Sequence, residues 1–285
     1  MNDADPLAER NARAHQYLQE GRDELAIPLF EEVLAERVRV LGADHPRTLA
    51  SRGNLAGAYE SAWCLGKAIS QYKKVLAHQL RVLGADHPRT LASRGNLAGA
   101  YESAGRLGEA IPLFEEVLAD SVRVLGEGHP HTLASRGNLA GAYESAGRLG
   151  EAIPLFEEVL ADSVRVLGEG HPHTLASRNN LAGAYESAGR LGEAIPLFEG
   201  VFADRRRVLG EGHPHTLTSR NNLAAAYRAA GRHHEAITLF KDTLEVCEEV
   251  LSPGHPLTTT VRENLEALER ETNPAPAPSP ESSDE

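Results

Sequence analysis

An all-α solenoid, built from tandem helical hairpins, is the fold this sequence predicts, and three observations carry the prediction. The dipeptide His-Pro recurs at His45, His87, His129, His171, His213 and His255, each 42 residues after the last. Within each period two runs of apolar residues follow the spacing of a helix. Glycine and proline then punctuate the two runs at fixed places. A repeat of this size means stacked supersecondary units, each unable to shelter its apolar face alone.

One unit shows how the hairpin arises. After His129-Pro130, the stretch Thr132 to Ala146 sets Leu139, Ala142, Tyr143 and Ala146 on one face of a first helix. Pro130 suits the first helical position, where its missing N–H costs nothing, and His129 falls at the cap. Gly147 supplies the left-handed residue that ends the helix. The second run places Leu149, Ala152, Ile153, Phe156, Val159, Leu160 and Leu167 on one side. Glu151, Glu157, Glu158, Asp162 and Arg165 occupy the other, a solvated face. Pro154 is expected in the first turn or so, and Gly168-Glu-Gly170 stops the helix.

Asn-Leu-Ala-Gly-Ala-Tyr, then Gly, then Glu-Ala-Ile-x-Leu-Phe resembles the tetratricopeptide repeat. In the fifth unit Leu181, Ala182, Tyr185, Gly189, Ala194 and Phe198 fill its consensus positions. Arg178 replaces the usual Trp, Val201 the usual small residue late in the second helix, and Arg206 the usual closing Pro. Without that Pro the second helix is free to continue to about Leu209. The period therefore exceeds the ~34 residues of the common repeat by roughly two helical turns plus a Gly-x-x-His-Pro link. This longer form is similar to kinesin light chain repeats and to related bacterial scaffold proteins. The resemblance implies a right-handed superhelix that binds another polypeptide in its concave groove.

Six hairpins are expected over residues 1–271, closed by a capping helix at 257–270. Arg13 stands where later units have Leu, as suits a solvent-facing end. Residues 272–285 are Pro-rich and acidic with almost nothing to bury, so they are expected to stay disordered.

Composition narrows the function. A net charge of −12 argues against a nucleic-acid backbone as the main partner, because phosphate binding needs a basic footprint. The start of the chain lacks the features of a signal peptide, and no apolar run approaches the ~20 residues that span a bilayer. The two cysteines, Cys64 and Cys247, are far apart in a repeat array. A cytoplasmic protein with no membrane partner is expected.

Helix direction and the resemblance together put the first helix of each hairpin on the concave wall. In peptide-clamping relatives an Asn at this position contacts ligand backbone, which implies that role for Asn96, Asn138, Asn180 and Asn222. Primary amides donate and accept together, as an extended peptide requires; the alternative is that they bind neighbouring helices. Glu60, Glu102, Glu144 and Glu186 form an acidic row that favours a partner with Lys or Arg. Arg52, Arg94, Arg136, Arg178 and Arg220 either mix that charge or act as structural forks between hairpins. Mid-helix glycines cost about 1 kcal/mol each against Ala, and units two to four carry a second one at Gly53, Gly95 and Gly137. Close approach of a neighbouring helix or a bound chain would compensate; neutral copying by duplication is the alternative.

Unit two is irregular. Trp63-Cys64 replaces Gly-Arg, and its second helix carries Lys67, Lys73, Lys74 and Arg81. Trp63 is either an exposed binding anchor or a ring covering a neighbour. The His-Pro-His links offer two ligands each, too few for a metal, so neither metal nor cofactor is expected. No Gly-x-x-x-x-Gly-Lys-Ser/Thr, His-Glu-x-x-His or nucleophile elbow occurs, so no catalytic residue is assigned. The expected function is a non-catalytic scaffold; the alternatives are a self-assembling structural repeat or a regulatory partner of a signalling ATPase.

Overall fold

The computed structural model describes residues 6–273; the predicted tail from residue 274 lies outside them. Thirteen helices and no strand occur among the described residues. They divide into two units, split within one helix.

The first unit, to Leu155, holds α1 (Pro6–Gln19), α2 (Asp23–Leu41), α3 (Pro46–Ser61), α4 (Leu65–Leu83), α5 (Pro88–Ser103), α6 (Leu107–Leu125) and α7 (Pro130–Ser145). It also holds the start of α8 (Leu149–Leu167). The second unit, from Phe156, holds the rest of α8, then α9 (Pro172–Ser187), α10 (Leu191–Leu209), α11 (Pro214–Ala229), α12 (His233–Val250) and α13 (Pro256–Thr272). In each unit successive helices pack against one another as antiparallel hairpins. The long second helices do run on to Leu125 and Leu209, so the missing consensus proline lengthens the repeat as expected. Pro112 lies six residues into α6 without breaking it. The last helix is slightly longer at both ends than expected, spanning Pro256–Thr272.

Local chemistry explains the boundaries. His129 has extended backbone, Pro130 follows it, and the His129 Nδ1 accepts from the His131 N–H at 3.1 Å. The same cap recurs at His45, His87, His171, His213 and His255. This bond satisfies one of the four donors that a helix start leaves open. At the other end Gly105 adopts φ +68°, which lets the Arg106 N–H reach the Tyr101 carbonyl at 2.9 Å. Thr132 Oγ1 adds a tie, donating to the Gly126 carbonyl at 2.8 Å and so fastening the link to the next helix.

The core repeats as well. Leu97, Ala98, Ala100 and Tyr101 from α5 are buried with Ala110, Ile111, Phe114 and Val117 from α6. Each large apolar side chain sheltered this way stabilises the fold by about 1.5–3 kcal/mol. The alanines contribute proximity instead, letting helices approach closely enough for Phe114 to be enclosed.

Candidate functional site: the first-helix face

In the first unit α3, α5 and α7 present one face together, and α5 touches α7 directly. Three kinds of residue recur on it. Asn96 and Asn138 are exposed, Gly95, Gly99, Gly137 and Gly141 are half-buried, and Glu60, Glu102 and Glu144 are half-buried one turn further on. The second unit repeats the pattern on α9 with exposed Asn180 and half-buried Glu186.

The amides do not all have the same fate. Asn222 Nδ2 donates to Asn179 Oδ1 at 3.2 Å, and Asn264 Nδ2 to Asn221 Oδ1 at 3.1 Å. Asn54 Nδ2 likewise meets Asn11 Oδ1 at 3.3 Å, with His15 Nε2 also in reach at 3.1 Å. Each pair joins residues 43 apart, so the partner is always the residue preceding the equivalent position of the hairpin before. For Asn96, Asn138 and Asn180 that partner position is Gly53, Gly95 and Gly137. Glycine has no amide to offer. The three Asn whose ladder partner is glycine are the exposed ones, and Asn54, Asn222 and Asn264 are half-buried.

These glycines are not explained by a neighbouring helix. A Cβ built on Gly53, Gly95, Gly99, Gly137, Gly141 or Gly183 meets nothing within 4 Å, and on Gly57 only the Tyr72 hydroxyl at 3.8 Å. Of the alternatives weighed for these glycines, the neighbouring helix is thereby excluded: among the described residues the space beside them is open.

A cavity of about 380 Å³ lies along this face between α3, α5 and α7. Leu91, Phe114, Val117 and Leu125 contribute its apolar lining, and Asn96, Gly99 and Asn138 also line it. Glu60 and Glu102 are its acidic groups, and neither Lys nor Arg lines it. Glu60 accepts from Tyr72 Oη at 3.2 Å and from Ser103 Oγ at 3.2 Å. Glu102 accepts from Ser145 Oγ at 3.0 Å. Burial raises the Glu102 carboxyl above the usual carboxylate range, against the opposing pull of the Ser145 hydrogen bond. Burial raises Glu186 in the same direction.

The arginine row belongs to the packing, not to the face. Arg94 Nη1 donates to Asp120 Oδ2 at 2.7 Å and Arg178 Nη1 to Asp204 Oδ2 at 3.0 Å, both between the two helices of one hairpin. Arg52 Nη1 reaches Gln71 Oε1 at 2.9 Å. Arg220 differs. Only 5% exposed, it has Val246 at the position equivalent to Asp120 and Asp204, and its Nε and Nη2 have no hydrogen-bond partner. Its nearest carboxylate oxygen, on Glu211, is 4.0 Å away.

Trp63 is 78% exposed, so it covers no neighbour. It is also the one non-glycine residue with positive φ among the described residues, at +56°. The basic character of α4 has a structural origin that the sequence reading missed. In the four hairpins that follow, the Arg after the turn glycine stacks on the hairpin's Tyr and pairs with a Glu three residues on, as Arg106 does with Tyr101 and Glu109. Cys64 replaces that Arg, Lys67 replaces the Glu, and the Lys67 ammonium takes the place over Tyr59 at 5.0 Å. The two substitutions compensate each other.

The geometry defines a class first: a helical-repeat protein whose first helices line a polar face, acidic in the first unit. Tetratricopeptide repeat models match residues 10–47 and, in overlapping stretches, 64–277. The chain belongs to the tetratricopeptide repeat family. A crystal structure of a Podosopora anserina putative kinesin light chain with nearly identical repeats is 37% identical, covering 72% of this chain and 97% of that one, with TM-score 0.65. BtubC of P. vanneervenii is 20% identical over 89% of this chain and 95% of its own, with TM-score 0.63. A signal transduction ATPase with a tetratricopeptide repeat sensor, from Pyrococcus horikoshii, is 16% identical over 94% of this chain and 39% of its own, with TM-score 0.65. The last two share the fold alone. No curated protein matches the sequence. Among the described residues no helix is long and apolar enough to cross a membrane.

Proposed function

We propose that this protein is a non-catalytic scaffold that holds an extended segment of another protein along the first-helix face, in the groove of its repeats. One observation carries the reading. Within each unit, exposed amides and open glycine backbone share a face, and among the described residues nothing lies within 4 Å of a Cβ at Gly53, Gly95, Gly99, Gly137, Gly141 or Gly183. A peptide backbone needs both features, close approach and groups that donate and accept. Asn96, Asn138 and Asn180 are the contacts of this reading, with Glu102, Glu144 and Glu186 selecting a partner segment that carries Lys or Arg. Asn222 serves the inter-hairpin ladder in the free protein. Trp63 is a separate exposed anchor at the turn before α4. The free thiols of Cys64 and Cys247 suit a reducing cytoplasm.

The test is recovery of the native partner on immobilised protein. Replacing Asn96, Asn138 and Asn180 together by Ala is expected to abolish recovery while helicity by circular dichroism stays unchanged. Full recovery by that variant removes the groove from the function.

Self-assembly is a second reading, favoured by one observation. Val40, Val82, Val124, Val166, Val208 and Val250 repeat at the end of each second helix, and all are exposed. Light scattering that shows a monomer at high concentration eliminates it.

A further inference from the structure

We infer that the cavity between α3, α5 and α7 is a pocket for one Lys or Arg side chain of an extended peptide. The peptide's backbone is held by the two amides that glycine leaves unladdered, Asn96 and Asn138. This rests on the groove reading above and narrows it to one place and one side-chain chemistry.

Ladder pairing shows what the hairpins do when the partner position can hydrogen-bond. Asn11, Asn179 and Asn221 each consume the next hairpin's amide, at 3.1–3.3 Å. Gly53 and Gly95 leave Asn96 and Asn138 facing open space, and both amides line the same cavity. A bound main chain passing Gly95 and Gly99 takes up the position the missing side chains would occupy. Its N–H and C=O groups then replace the absent amide as partners of Asn96 and Asn138.

The side-chain preference follows from the lining. Ala92, Ala134 and Leu125, over a buried floor of Leu91, Phe114 and Val117, offer an apolar wall of the kind that an aliphatic stem covers. Among the described lining residues Glu60 and Glu102 are the carboxylates and His131 the one other titratable side chain besides Tyr72, and each Glu is fixed by a serine of the following hairpin, Ser103 and Ser145. A carboxylate already stripped of part of its water gains more from a cation than an exposed one does. A neutral or acidic side chain leaves that charge without a counterion.

The experiment uses the full chain and fluorescein-labelled peptides of about nine residues, Ala/Thr/Ser throughout except for a central Lys, Arg, norleucine or Glu. Affinities are read by fluorescence anisotropy for the wild type, Glu60→Gln/Glu102→Gln, Gly95→Asn and Asn222→Ala. Lys and Arg peptides are expected to bind at least about tenfold more tightly than the norleucine and Glu peptides. The double Gln variant is expected to erase that preference while keeping residual binding. Gly95→Asn restores the ladder partner of Asn138, so every peptide weakens about tenfold while the melting temperature holds or rises. Asn222→Ala leaves all affinities unchanged. A Lys preference that survives Glu60→Gln/Glu102→Gln, or wild-type binding by Gly95→Asn, overturns the pocket. So does failure of every peptide to bind at about 1 mM. The groove reading falls separately, only if the Asn96/Asn138/Asn180 variant still recovers the native partner.

Discussion

The helices around Asn96 and Asn138 and those around Asn222 and Asn264 carry the same Asn-Leu step, yet they present different surfaces. In the second group each groove amide is spent on the hairpin before it. In the first it is open to solvent, because the residue 43 positions upstream, Gly53 or Gly95, is Gly instead of Asn. A second contrast divides the same hairpins. Arg94 is a buried cation with a carboxylate at 2.7 Å, whereas Arg220 is a buried cation with Val246 in the carboxylate's place. Single substitutions in a repeat thus convert a satisfied contact into an unsatisfied one without changing the fold. Satisfaction in one hairpin forecasts what its neighbour lacks.

The largest effect expected from that comparison comes from Asp120→Ala. It leaves the Arg94 guanidinium buried without its closest partner, and urea unfolding should show a loss of about 3 kcal/mol. A loss near zero would mean that Glu116, 3.9 Å away, or water already carries the charge. The converse change, Val246→Asp, gives Arg220 the partner its sister hairpins have. It is expected to stabilise the protein by about 1–2 kcal/mol, visible as a higher denaturant midpoint with unchanged slope. No gain would show that Arg220 is already satisfied by solvent.

Asn179→Gly should turn the Asn222 hairpin into a copy of the open ones. It costs about 1 kcal/mol, from one hydrogen bond and added backbone freedom. Trp63→Gly relieves a side chain held at φ +56° and should raise stability by up to about 1 kcal/mol in thermal melts. The smallest effect is on pH. Because burial raises the Glu102 carboxyl, it takes up a proton earlier than an exposed Glu as pH falls. Affinity for a Lys peptide should therefore begin to drop, as pH is lowered, while exposed carboxylates are still ionised, which anisotropy titrations across the acidic range would check. The effect on the fold has the opposite sense. With the folded value above the unfolded one, this group's contribution is fully present below the unfolded value and is lost as pH rises through the folded one.

Much of this architecture is legible in the sequence because it is local. The His-Pro cap, the turn glycine and the helical spacing of Leu139, Ala142 and Tyr143 act within a few residues, so reading along the chain finds them. The longer second helix follows from Arg206 standing where a proline would have ended it. What the chain order hides is pairing across hairpins. The Asn ladder joins residues 43 apart and the arginine forks residues 26 apart, so neither is visible until the hairpins are stacked. The compensation between Cys64 and Lys67 is hidden for the same reason, since it is Tyr59's ring face that relates them. The glycines are ambiguous in the sequence because a packed helix, a bound chain and neutral copying all permit glycine; open space beside Gly53, Gly95 and Gly137 removes the first option.

The most direct measurement is the side-chain amide spectrum of 15N-labelled protein titrated with the Lys-centred peptide. The Asn96 and Asn138 NH₂ resonances should move together with saturation, while those of Asn222 and Asn264, already held by Asn179 and Asn221, stay in place. Equal movement of all four, or movement of the laddered pair alone, would contradict the claim that glycine gaps decide where this protein grips its partner.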